Sequence, residues 1–155
     1  MRYIALFALC FQLSAATIVL VRHAEKAGPT GDVPLNEAGY KRSALLAKML
    51  ADVKLTEIYT TEFRRTQETA MPIAKATKIQ AKIVASSDLE GLVKVLKAAP
   101  ASDIILVVSH SNRLPEIAAK LGVTIPPIDE TEYSRFVVIN TGVTPAALLN
   151  LRYGD

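Results

Sequence analysis

Two uninterrupted apolar runs, TIVLV at residues 17–21 and IILVV at residues 104–108, organise the chain. Neither alternates with polar residues, so each predicts a strand covered on both faces. Residues 57–60 and 79–84 read as shorter strands, and residues 135–140 and 146–152 as closing strands. Between them the apolar period lengthens to that of helices. Asn36 is placed to cap a helix over residues 37–52, with Ala38, Leu45, Leu46, Met49 and Leu50 as its apolar stripe and Leu35 as a hydrophobic staple. A second helix starts near Arg64 and is bent or restarted at Pro72. A third is capped by Asp88 and reaches Ala98, and a fourth covers residues 114–121. Glycine and proline make residues 28–34 a loop, and the pair Pro126 and Pro127 breaks the chain again.

Alternating strands and helices predict an α/β fold, a three-layer α/β/α sandwich around a mainly parallel central sheet. Ligands of such sheets gather at the carboxyl ends of the strands. Arg22-His23 and His110 follow the two central strands by one or two residues, so both histidines of the chain are expected at one edge of one sheet.

Composition narrows the class. With 155 residues, 50% of them apolar and 21% charged, the chain suits one compact domain and not a disordered one. Residues 1–16, MRYIALFALCFQLSAA, have the layout of a cleaved secretory signal: one early positive charge, a short apolar run and a small-residue ending. The domain is therefore expected at residues 17–155, in the periplasm or secreted, with no stable membrane anchor after cleavage. Cys10, the only cysteine, lies in this leader, and Ala8 and Leu9 before it suit a lipoprotein box badly. A net charge of +3, with no basic run interleaved with aromatics, gives no reason to expect nucleic acid.

Arg22-His23, Arg64-Arg65 and His110 supply the candidate chemistry. Guanidinium groups offer planar paired donors to phosphate oxygens, and an imidazole can donate or attack. No glycine-rich phosphate loop is present, so side chains must do the binding. Two histidines beside arginines make a poor cation site, and no metal or other cofactor is expected.

The segments RHAEK, DVPLNEAG, TTEFRRTQETA and VVSHSN, in this order, resemble the motifs of the histidine phosphatase superfamily, which includes the phosphoglycerate mutases and the small phosphohistidine phosphatases. The resemblance implies a phosphoglycerate mutase-like fold and a metal-independent phosphomonoesterase. In it His23 is the nucleophile and forms a phosphohistidine, while its other ring nitrogen donates to a backbone carbonyl. Arg22, Arg65 and His110 surround the phosphate, Asn112 holds the histidine loop or touches substrate, and Arg64 is a neighbour only. Ala24 stands where the signature has glycine. The general acid of larger members has three candidates here, Glu25, Asp88 and Glu90, and the sequence does not choose among them. Without long insertions the site is expected to be open and mutase activity is not expected. The substrate class is a phosphorylated small molecule or a phosphoprotein. The competing reading is a phosphate-ligand binding module without turnover.

Overall fold

The computed structural model describes residues 16–154. The expected leader lies outside them except for Ala16, which is buried and whose carbonyl accepts hydrogen bonds from Thr141 N and Oγ1, each at 3.2 Å.

Strands β1 (Thr17–Arg22), β2 (Glu57–Thr60), β3 (Lys82–Ile83), β4 (Ile104–Ser109), β5 (Arg135–Asn140) and β6 (Ala147–Arg152) form one sheet in the order β3-β2-β4-β1-β5-β6. The pairs β1–β4, β2–β4 and β2–β3 are parallel, and β1–β5 and β5–β6 are antiparallel. Helices α1 (Glu37–Met49) and α2 (Arg64–Thr77) pack on one face, and α3 (Leu89–Ala98) and α4 (Arg113–Lys120) on the other. The result is the three-layer sandwich with a mainly parallel sheet.

The period of two explains why the central strands are apolar throughout. Ile18 and Leu20 of β1, with Ile105 and Val107 of β4, face the core built on Leu92, Leu96, Leu114 and Ile117. Val19, Val21, Leu106 and Val108 face the opposite core, against Leu46, Leu50, Ala70 and Ile73. Each such side chain withdrawn from water contributes about 1.5–3 kcal/mol before ordering costs. Slipping β1 by one residue would exchange the two sets, so both cores fix the same register.

Two local readings need correction and a third is narrowed. The α1 stripe is rotated: Gly39, Ser43 and Leu46 are buried, whereas Ala38 is exposed and Met49 is 44% exposed. Gly39 sets this rotation, since a Cβ there would stand 2.2 Å from the Glu25 carbonyl oxygen, and the helix rests on that backbone. Helix α2 continues through Pro72 without restarting, its buried Ala70 and Ile73 holding it to the sheet. The strand expected at residues 79–84 shrinks to Lys82–Ile83, an exposed edge pairing with β2, because Ile79 and Ala81 are used in packing and not in the ladder. Asn36 and Asp88 cap α1 and α3 as the pattern requires, each accepting from a glycine N–H at 2.9 Å.

Gly39→Ala should lower stability by roughly 2 kcal/mol, the scale of overpacking a tight contact, despite alanine's better helix propensity. Urea denaturation of both proteins checks it; an unchanged midpoint would mean that α1 can lift off the Glu25 backbone without cost.

Candidate active site

Parallel pairing of β1 with β4 sets Arg22 opposite Ser109. The next residue on each strand is a histidine, and His23 N donates to Ser109 O at 2.9 Å. The two rings meet edge to face with centroids 5.4 Å apart. Both histidines are buried.

His23 Nδ1 lies 2.8 Å from Ala24 O. A carbonyl can only accept, so Nδ1 carries the proton and Nε2 keeps its lone pair. Burial, followed by the charges of Arg22, His110 and Arg65, lowers the His23 pKa to about 3 against the opposing bond to Ala24 O. Burial, then Arg65, lowers that of His110 to about 4. Both rings are therefore neutral near pH 7. His110 Nε2 is 3.1 Å from Thr61 Oγ1, a hydroxyl in turn linked to Thr66, so the loop after β2 orients the second imidazole.

The arginines are held in different ways. Arg22 is 1% exposed; its Nη1 donates to the carbonyls of Asp129, Glu130 and Glu132 at 2.8–3.0 Å, and its Nη2 pairs with the Glu130 carboxylate at 2.9 Å. Tyr133 lies against its guanidinium, 4.2 Å from the ring centroid. Arg65, in the first turn of α2, lies over Phe63 at 4.3 Å and donates from Nη1 to Gly31 O at 3.3 Å. The Nε atoms of both arginines are buried without a hydrogen-bond partner among the described residues. A buried donor left unpaired costs about 1–3 kcal/mol, and two of them on neighbouring cations make the site one that an anion would complete. A cavity of about 280 Å³ opens here, its walls including His23, Phe63, Arg65, His110, Asn112 and Glu130. No group of three or more His, Cys, Asp or Glu among the described residues could hold a metal ion.

Arg64 points elsewhere: it is 56% exposed at the side chain and pairs with Glu68 at 2.9 Å. Asn112 lines the cavity at the start of α4 and makes no capping bond. The three candidate acids are all outside the cavity lining. Glu25 is gripped by Arg42, Asp88 caps α3, and Glu90 pairs with Lys120 at 2.6 Å. The carboxylate that does line the cavity is Glu130, whose other oxygen takes a hydrogen bond from Ser111 Oγ. That bond, ahead of the charge of Arg22, holds its pKa low, so it is ionised at neutral pH. Sequence reasoning missed Glu130 and Tyr133 because they come from an acidic stretch more than 100 residues beyond Arg22, with no motif of their own. The only available signal was the proline pair that frees this segment to turn back.

The histidine phosphatase superfamily (branch 1) model matches residues 18–90, which hold Arg22, His23 and Arg65 but not His110. The match takes in a little under half of the chain, and over those residues the chain is similar to that superfamily. The fold is similar to that of a protein from Escherichia coli K-12 proposed to be an alpha-ribazole-5'-P phosphatase, with a TM-score of 0.74 and 18% identity over 90% of this chain and 97% of that one. It is similar also to the protein histidine phosphatase SixA complexed with tungstate, at 0.70 and 17% over 88% and 96%. A third likeness is to the mycobacterial glucosyl-3-phosphoglycerate phosphatase Rv2419c, at 0.67 and 12% over 81% and 90%. No curated protein sequence matches the chain.

Between pH 6.5 and about 3 the unfolded chain protonates His23 while the folded chain keeps it neutral. The unfolded state then binds more protons, so stability contributed by this group is present above pH 6.5 and falls as the pH drops toward 3. Wild type should therefore lose more stability than His23→Ala between pH 7 and pH 4. Parallel urea titrations at the two pH values measure it, and equal losses would refute the buried neutral ring.

Proposed function

We propose that this protein is a metal-independent phosphomonoesterase that works through a phosphohistidine on His23. The observation that carries the reading is a neutral imidazole whose Nδ1–H is fixed on Ala24 O, with Nε2 left as a nucleophile in a cavity shared with Arg65 and His110. Nε2 attacks phosphorus, the bond to the leaving oxygen breaks, and that oxygen takes the electron pair. Arg65, Arg22 through Nε, and His110 stabilise the charge on the transferring group. Water then attacks phosphorus, the N–P bond breaks, and inorganic phosphate leaves with His23 neutral again.

The first step needs a proton for the leaving oxygen. The carboxylate lining the cavity, Glu130, is ionised and engaged by Arg22 and Ser111, so it is poorly set to donate one. This supports substrates with good leaving groups, aryl phosphates or phosphoramidates, above alkyl and sugar phosphates. The likeness to a protein histidine phosphatase supports a phosphoprotein as one such substrate. Asn112, beside the cavity, contacts the substrate or the histidine loop. The leader directs the chain to the periplasm or beyond and is then removed. Among the described residues no helix is long and apolar enough to cross a membrane. N-terminal sequencing of protein expressed from the full reading frame tests the leader: an N-terminus near Ala16 is expected, and an intact Met1 would reject cleavage.

Hydrolysis of para-nitrophenyl phosphate with a chelator present should vanish in His23→Ala. Arg65→Met should lower kcat/KM about a hundredfold, the usual scale for one lost charge-stabilising donor, and Arg64→Met less than threefold. Turnover by His23→Ala would remove the nucleophile, and equal losses at the two arginines would reject the assignment of Arg65. Phosphate affinity without turnover by folded wild type would favour the binding module.

A further inference from the structure

We propose that the Arg42–Glu25 ion pair is a positioning device for His23, acting through the peptide unit that fixes the imidazole tautomer. The inference rests on His23 being the nucleophile, and its own readout does not depend on turnover. Ala24 O, the acceptor for His23 Nδ1–H, belongs to the peptide joining Ala24 to Glu25. The direction of that carbonyl follows from how the residues on either side of it are held. On one side Ala24 N donates to Thr69 Oγ1 of α2 at 2.9 Å. On the other, Glu25 O accepts from Asn36 N at 2.9 Å, and Gly39 of α1 presses against the same oxygen.

The Glu25 side chain completes the clamp. Arg42 Nε reaches both carboxylate oxygens, at 2.9 and 3.1 Å, and Nη2 lies 2.8 Å from Oε1. The planar guanidinium thus fixes the plane of the carboxylate as well as its position. The two side chains are 11% and 18% exposed, so the pair is largely shielded from water and salt. Arg42 is anchored in turn: Nη1 donates to Tyr153 O at 2.6 Å, and the guanidinium lies 5.4 Å from the Tyr153 ring centroid. Tyr153 N donates to Ser134 O, tying the end of β6 to the start of β5. The nucleophile loop is therefore braced by α1 and by the carboxyl end of the chain. Glu25, a sequence candidate for the general acid, positions the nucleophile and does not touch substrate.

The ¹⁵N chemical shifts of the His23 ring distinguish the Nδ1–H from the Nε2–H tautomer in the free protein, and steady-state kinetics with para-nitrophenyl phosphate give kcat and KM. Wild type should show Nδ1–H alone. Arg42→Met should show a mixture, with kcat lowered about tenfold, as expected for a small misplacement of a reacting group, and KM changed less than twofold. Arg42→Lys, which keeps the charge but not the planar fork, should fall between the two. Because Arg42→Met leaves a shielded carboxylate unpaired, the double variant Glu25→Gln with Arg42→Met removes both charges and should show the same mixed tautomer in a folded protein. An unchanged Nδ1–H tautomer in either folded variant would overturn the proposal. A tautomer shift in the variants of a wild type that hydrolyses nothing would uphold the positioning role and reject the phosphatase reading.

Discussion

The parallel pairing of β1 with β4 is the constraint on which the site depends. Both strands are buried on both faces, so two separate cores demand one register, and that register places Arg22 beside Ser109. Two histidines 87 positions apart in the chain are thereby brought edge to face without any direct bond between their rings. The burial that fixes the strands also strips water from the imidazoles and keeps them uncharged. Fold stability and the neutral state of both rings thus arise from the same packing.

Uncharged rings beside a buried Arg22 and a half-buried Arg65 raise a second problem, the positive charge itself. Arg22 is compensated by three carbonyl dipoles, an aromatic face and the Glu130 carboxylate paired with it. Arg65 donates to one carbonyl and lies over the Phe63 ring, with the carboxylates of Asp32, Glu62 and Glu130 acting on it through space. Dipoles and π-faces restrain a guanidinium without cancelling its field, so attraction for an anion survives. Carboxylates paired directly with both guanidinium groups would have cancelled more of that field.

The layers, the caps at Asn36 and Asp88, and the strand-end setting of both histidines were legible because each is written in local pattern. The α1 stripe was misread because Gly39 packs through its lack of a side chain, which no scale of side-chain hydrophobicity registers. The strand at residues 79–84 was overextended because apolar residues at a sheet edge can pack without pairing. Glu130 and Tyr133 were invisible because they reach the site only through tertiary contact, over separations that periodicity does not span.

Those separations bear on when the site comes into being. The acceptors that seat Arg22 lie 107 to 110 residues downstream of it, and the anchor of Arg42 lies 111 residues downstream. A chain emerging from the ribosome, or from a translocation channel, holds the whole motif around His23 long before it holds what locks that motif in place. Contacts of such range form late. The nascent protein therefore leaves Arg22 and Arg42 without these anchors until its last strands have been threaded into the sheet, and a truncation that spares every motif residue would still lack the contacts that seat them.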